Sequence, residues 1–329
     1  MRARSRRPLV VSVALGVMAA AFAVVALGWG DYPLGPGEVV AALVVPDDGF
    51  ASVIVREWRA PRVVTALVFG AALAVSGALF QTLTRNPLGS PDVIGFSTGA
   101  YTGALLVITV VGTSALSTSL GALVGGLATA GVVYALAYRR GVQGFRLIIV
   151  GIGVTAMLHS VNTWLLLRAE AEVAMAASIW GAGSLALAEW DRVVPAAIGI
   201  GIALIATAAL AAPLRQLELG DDVARTHGAR VEAVRLAVLV AGVALTAVVT
   251  AAAGPIAFVS LAAPQIARRL TRSAGLPLVA SALVGGAVLL GADLVAQHVL
   301  AGSVPVGVVT IVLGGGYLLW LVAGEARRR

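Results

Sequence analysis

Arg56-Glu57-Trp58-Arg59-Ala60-Pro61-Arg62 sets three guanidinium groups just ahead of a long apolar run. If that stretch faces the outside of a membrane, it runs against the positive-inside bias and something must compensate the charge. Two readings are open. The arginines snorkel into lipid headgroups beside Trp58, or they dock an acidic partner, since exposed charge steers association and fixes register. A second segment, Gln81-Thr82-Leu83-Thr84-Arg85-Asn86-Pro87-Leu88-Gly89-Ser90-Pro91, holds two prolines with Asn and Gly nearby and cannot continue a helix. At a membrane face such backbone is tolerated where protein covers it or where it lines a water-filled path, so it is either a turn or a constriction. A third segment, residues 217–230, reads as a short helix, with Asp221 and Asp222 early, Arg225 late and Gly228 as a stop. It is a contact surface for a partner or a solvated loop.

Other patterns carry less. Gly95-Phe96-Ser97-Thr98-Gly99 matches a serine-nucleophile pattern, with His159 or His298 as an imaginable base. That motif needs a strand–turn–helix or an enclosed dyad, and here it opens an apolar run after a proline. Asp293 is the one acid deep in an apolar run, which keeps a proton-coupled secondary carrier open as a lesser alternative. Three His and no Cys leave no metal cluster, disulfide or thiol nucleophile. All 23 cationic residues are Arg, so there is no P-loop or Schiff-base lysine. The chain is expected to have no catalytic residue, no ATPase site, and no metal or cofactor of its own.

The elements that must position these residues follow from composition. With 59% hydrophobic and 12% charged residues among 329, and a mean hydropathy of +0.97, a cytosolic enzyme and a disordered chain are both excluded. Apolar runs long enough to cross a bilayer fall at about 9–29, 63–83, 94–112, 119–138, 147–167, 193–212, 234–252, 256–270, 276–298 and 304–323. The fold expected is all-α: a polytopic membrane protein of ten transmembrane helices in a single domain, 1–329, with a segment at 213–233 between the sixth and seventh. Gly254-Pro255 breaks the seventh run from the eighth. Gly95-x-x-x-Gly99, Gly99-x-x-x-Gly103 and Gly121-x-x-x-Gly125 have the spacing that lets helices approach closely in lipid.

With the N-terminus inside, 18 of the 23 arginines fall inside, including Arg2, Arg4, Arg6, Arg139, Arg140 and Arg327 to Arg329, while Asp31, Asp47, Asp48, Glu57 and other acids fall outside. Both termini are therefore expected in the cytoplasm. The net charge of +7 is a topology signal and not a nucleic-acid footprint. The Leu9–Trp29 run exceeds a signal-peptide core, so a retained first span is favoured over cleavage.

Several segments together carry a resemblance. Arg59-Ala60-Pro61-Arg62, Gly70 to Gly77, Gln81, Arg85-Asn86-Pro87-Leu88 and Pro91 to Gly95 resemble the permeases of type II ABC importers for iron–siderophore, haem and cobalamin. Leu219-Gly220-Asp221, Ala224 and Gly228 resemble that family's coupling segment, and Gly254 to Val259, Pro264, Arg268, Ala292-Asp293 and Pro305-Val306-Gly307 extend the likeness. It covers about residues 56 to 320.

The resemblance implies the type II importer permease fold in a bacterial cytoplasmic membrane, amid membrane lipid. It also implies a permease dimer enclosing one path, two cytosolic ATPase subunits that use ATP and Mg, and a substrate-binding protein. By position, Arg56 and Arg59, with Arg62 beside them, look like the docking arginines for that binding protein. Asn86, Pro87 and Leu88 look like the cytoplasmic gate, with 141–145 as a second constriction. Leu219, Gly220, Asp221, Asp222, Ala224, Arg225 and Gly228 look like the coupling helix in the ATPase cleft. Departures are Gln297 where the family often has Arg, Ser303 for a frequent Glu, Gln265 where His is common, and Gly316-Tyr317 for a Pro-x-Phe-like ending. Gly314-Gly315-Gly316-Tyr317-Leu318 is similar to the catecholate-siderophore (enterobactin) branch, in which two different permeases pair. The implied cargo is an iron(III)–siderophore and the implied partner a second permease in a heterodimer; cobalamin or haem is the alternative cargo.

Overall fold

The computed structural model describes residues 7–45, 49–92, 94–112, 114–138, 144–228, 230–273, 275, 277–300 and 304–326. Arg2, Arg4, Arg6, Asp47, Asp48, Arg139, Arg140, residues 141–143, Ser303 and Arg327 to Arg329 lie outside the described residues.

Fifteen α-helices make up the described chain: α1 (Arg7–Gly28), α2 (Pro36–Val44), α3 (Phe50–Val53), α4 (Ala60–Thr84), α5 (Phe96–Val110), α6 (Ala115–Ala137), α7 (Gly144–Arg168), α8 (Ala171–Gly181), α9 (Trp190–Ala209), α10 (Ala211–Glu218), α11 (Asp221–Thr226), α12 (Val231–Ala253), α13 (Val259–Thr271), α14 (Leu278–Leu294) and α15 (Val306–Ala326). A π-helical turn, Ile54–Arg59, joins α3 to α4, and another, Val295–Val299, extends α14. Ten helices coincide with the ten apolar runs: α1, α4 to α7, α9 and α12 to α15. Among the described residues, seven segments are long and apolar enough to cross a membrane, and Phe96–Val110 and Val306–Trp320 are shorter apolar helices. Gly254 (φ 74°) and Phe258 (φ 69°) turn the chain between α12 and α13, where the Gly-Pro pair predicts a break. The stretches 30–61 and 168–192, read from sequence only as polar interruptions, contain the short helices α2, α3 and α8, and α10 and α11 fall in or overlap 213–233.

The centre of the bundle is α4. From Ala72 to Thr84 every residue is buried, as happens only when a helix is covered on all sides. Helices α12, α13, α14 and α9 surround it. Apolar burial does not drive this packing in lipid, where the surroundings are equally apolar; close backbone approach and interhelical hydrogen bonds do. A Cβ on Gly70 would overlap the Gly285 backbone of α14, and one on Gly77 would overlap the Ser260 carbonyl of α13. Ser76 donates to the Gly242 carbonyl of α12 at 2.7 Å, and Gln81 Nε2 to the Leu261 carbonyl of α13 at 3.0 Å. The glycine spacing of α5 and α6 serves the same purpose, since Gly99 and Gly103 lie against the backbone of Gly121 and Gly125.

Helix α4 thus runs through the core from Arg62 to Arg85 and fixes both ends relative to each other. Gly77→Val should overpack the α4–α13 contact and destabilise by about 1–3 kcal/mol or more, lowering the melting temperature in detergent. Gly16→Ala, at a position with no atom near its absent Cβ, should leave that temperature unchanged.

Candidate functional site

Where α4 begins, the three arginines go to different places. Arg56 donates from Nε to the Ala42 carbonyl (2.6 Å) and from Nη2 to the Leu43 carbonyl (2.8 Å). It thereby satisfies the end of α2, whose last carbonyls have no partner within the helix. Arg59 reaches the carbonyls of Leu27 and Tyr32, both at 2.8 Å, and fastens the end of α1 to the loop that follows. Arg62 turns into the bundle, where its Nε and Nη2 hold both carboxylate oxygens of Asp293 at 2.9 and 2.8 Å. Gln297 Nε2 donates to the same carboxylate at 2.7 Å. The Asp293 side chain is 1% exposed and that of Arg62 26%. Asp293, isolated in the sequence, is therefore one half of a clasp between α4 and α14. The Gln297 that departs from the family pattern completes it. Arg56, Arg59 and Arg62 all keep partial exposure beside the exposed Glu57 and Trp58. A cleft of about 580 Å³ opens there, lined by Tyr32, Trp58, Arg59, Arg62 and the stacked pair Trp29 and His298.

At its other end α4 stops at Arg85, which takes the left-handed conformation (φ 50°). Asn86, Pro87 and Leu88 follow as one closed turn. The Leu88 N–H donates to Asn86 Oδ1 and the Gly89 N–H to the Asn86 carbonyl, each at 2.9 Å, in the way an Asn side chain stands in for backbone in an Asx turn. Gln265 Nε2 of α13 donates to the Pro87 carbonyl at 2.8 Å. Leu88 is exposed at the tip. Just beyond, Asp92 accepts from Ser97 Oγ (2.5 Å) and Ser260 Oγ (3.0 Å), tying the start of α5 to that of α13. Burial raises the Asp92 pKa, while hydrogen bonds from Ser97, Ser260 and the Phe258 backbone N–H lower it. The hydroxyl of the Gly-x-Ser-x-Gly pattern thus has a structural partner, and His159 lies exposed on α7.

Beside this turn lies the 213–233 segment. Gly220 (φ 114°) turns the chain from α10 into α11, and Gly228 (φ 81°) follows α11, so the helix read from the acidic-then-basic pattern is present. Ala224 is buried with Leu217 and Val231 in a small apolar cluster. Leu219, Asp222, Val223 and Arg225 are exposed, and Arg225 pairs with Asp222 at 3.0 Å. Asp221 points back into the protein, with Oδ1 held by Arg85 Nη2 at 2.6 Å and Oδ2 by Arg235 Nη2 at 2.7 Å. The sequence reading overlooked Arg85, Arg235 and Gln265 as site residues. The one signal for Arg85 was its place at the last residue before Asn-Pro.

A bundle built around one buried helix, with a closed turn at that helix's end and a short exposed helix against it, defines a class: a polytopic membrane permease. The chain belongs to the FecCD transport family, whose profile matches residues 17–324. It is 47% identical over 326 residues to the ferric enterobactin transport system permease protein FepG of Escherichia coli, covering 99% of each chain. It is 36% identical to the achromobactin transport system permease protein CbrC of Dickeya dadantii, over 95% of this chain and 90% of the other. With the hemin transport system permease protein HmuU of Yersinia pestis it shares 33% identity, over 82% and 83%. A solved inward-facing conformation of a metal-chelate type ABC transporter superposes with a TM-score of 0.83 at 25% identity, covering 95% of this chain and 98% of that one. The chain is the permease subunit of an ABC importer and not an enzyme; ATP-hydrolysing and substrate-binding proteins are its partners.

Removing one member of a buried ion pair strands the other. Asp293→Ala should therefore destabilise the protein by about 3–5 kcal/mol, read as a loss of thermal stability in detergent. An unchanged melting temperature would show that Arg62 finds water instead.

Proposed function

We propose that this chain is the path-forming subunit through which an ATP-driven importer moves an iron(III)–catecholate siderophore into the bacterial cytoplasm. The observation that carries the reading is the 47% identity to a ferric enterobactin permease across 99% of both chains, which takes in both ends of α4 and α11. The α11 end bears Arg7, Arg85, Arg215, Arg225, Arg235, Arg268, Arg269 and Arg272. The positive-inside rule favours this end, with both termini, on the cytoplasmic side, in keeping with ten crossings read from the apolar runs.

The Arg56–Arg62 end then faces outward. There the loaded binding protein docks, its acidic groups meeting the exposed parts of Arg56, Arg59 and Arg62 while the inner nitrogens stay on helix ends and on Asp293. An exposed ion pair is worth only about 0–1 kcal/mol, so several pairs and shape must act together. ATP and Mg bind the cytosolic subunits and not this chain. Their closure moves α11 through its exposed face, Asp222, Val223 and Arg225, and the exposed Leu219 just before it, while Gly220 and Gly228 at its ends supply the turns and Ala224 anchors it. Asn86, Pro87 and Leu88 are the constriction that responds.

A second permease completes the path, and a heterodimer is favoured by the closing Gly314 to Leu318. Helix α7 supports such a path. It carries His159 exposed in mid-helix, which is costly against lipid and suited to a water-filled cavity between two subunits, while Ser160 and Thr163 donate to carbonyls of their own helix.

In proteoliposomes holding the whole importer, uptake of radioactive iron as a catecholate chelate should require ATP hydrolysis. Uptake that survives ATP depletion and collapses with the proton gradient would favour the secondary carrier instead. Arg56→Glu with Arg59→Glu should weaken binding-protein affinity roughly tenfold or more, the equivalent of about 1.4 kcal/mol. Binding-protein stimulation of ATP hydrolysis should fall with it, and normal stimulation would remove the docking role.

A further inference from the structure

Asp221 is the first residue of α11, and its two oxygens are held by arginines from two different helices. Arg85, at the end of α4, takes Oδ1 at 2.6 Å, and Arg235, on α12, takes Oδ2 at 2.7 Å. The two holds differ in kind. Arg235 is 14% exposed and braced by Glu232 at 3.1 Å, and α12 continues directly from the α11 segment, so this hold is local. Arg85 is 136 residues away in sequence and is followed at once by the gate turn.

Its left-handed backbone, which L-residues visit rarely, bends the chain out of the α4 axis. The side chain then also lies within 3.4 Å of the Leu217 carbonyl on α10. The turn beyond is closed by the Asn86 side chain and by its own backbone, and Gln265 joins it to α13. A turn closed on itself moves as a unit, so a pull on Arg85 displaces Leu88. The Arg85–Asp221 ion pair joins α11 to the flank of the turn across 136 residues of sequence, and the bond from Arg85 to the Leu217 carbonyl lies beside it.

We infer that Arg85 is the positioning residue that transmits movement of α11 to the Asn86–Leu88 gate, through its ion pair with Asp221. This deepens the proposed function and rests on its reading of gate and coupling helix. Closure of the ATP-bound subunits changes the position of α11; Asp221 carries Arg85 with it, and Arg85 carries the turn.

The chain has no cysteine, so Leu88→Cys is a unique reporter within it. In the complete importer, reconstituted with its ATPase and second permease, the labelling rate of that cysteine by a maleimide is measured with and without ATP, and the labelled peptide is read by mass spectrometry. A gate open about 10% of the time in one state and mostly open in the other gives roughly a tenfold change in rate. Adding Arg85→Ala should remove that change, and Arg85→Lys should restore part of it. Asp221→Asn, which leaves Arg85 and the end of α4 untouched, should remove it too, with the ATPase still copurifying. This second variant separates transmission from damage to the turn. A full ATP response with Arg85→Ala, or with Asp221→Asn, overturns the proposal alone. No ATP response with Arg85 and Asp221 both intact overturns the gate reading and the proposal with it.

Discussion

The proposed docking face and the Asn86–Leu88 turn hang on the two ends of one helix, and that helix can be central only because its side chains are small where the neighbours cross it. Gly70 against the Gly285 backbone and Gly77 against the Ser260 carbonyl are contacts between main chains. In a lipid solvent, where a leucine gains nothing by choosing protein over acyl chains, such contacts and the hydrogen bonds of Ser76 and Gln81 supply the cohesion. The consequence is mechanical. A helix touched on every side cannot tilt alone, so its two ends hold a fixed relation while peripheral elements move.

Both ends of α4 are closed by an arginine held on an aspartate. Arg62 and Arg85 are separated by about 35 Å at the helical rise, close to the thickness of a bilayer's apolar core. The two pairs differ in solvation. Asp293 is almost wholly buried and gripped by both nitrogens of one fork, the geometry of a permanent clasp. Arg85 and Asp221 are 51% and 24% exposed, so water competes for the pair and its strength is modest. A buried clasp at one end and a solvated ion pair at the other seat the helix firmly at Arg62 and couple its Arg85 end to α11.

Much of the architecture was legible because it rests on local rules. Ten apolar runs predict ten helices, Gly254-Pro255 predicts the break before α13, and the acid-then-base order of residues 221–225 predicts α11. The short helices α2 and α8 were read through as polar interruptions, since runs too short to span carry no length signal. The destinations of the arginines were hidden for a different reason. Arg56 and Arg59 bond to carbonyls at the ends of α2 and α1, and a carbonyl has no letter in the sequence. The pairing of Arg62 with Asp293 joins residues 231 apart, and nothing nearby in either stretch names the other. Resemblance could point to Arg56 and Arg59 by position; it could not say that part of each guanidinium is already engaged.

That partial engagement bears on how the proposed docking patch would be built from arginine. Five donors in a fixed fork allow one edge to cap a helix end while the other faces solvent. A lysine would have to choose. Arg56 and Arg59 held by α2 and α1 lose less freedom when a partner's carboxylate arrives, because the ordering cost of a long side chain has been met within the fold. The same bonds connect the proposed docking face to α1 and α2, so a partner that draws on these guanidiniums would also draw on the elements packed around the head of α4. The proposed docking face is in this way joined to the helix whose far end carries the Asn86–Leu88 turn, without any chemistry beyond hydrogen bonds and charge.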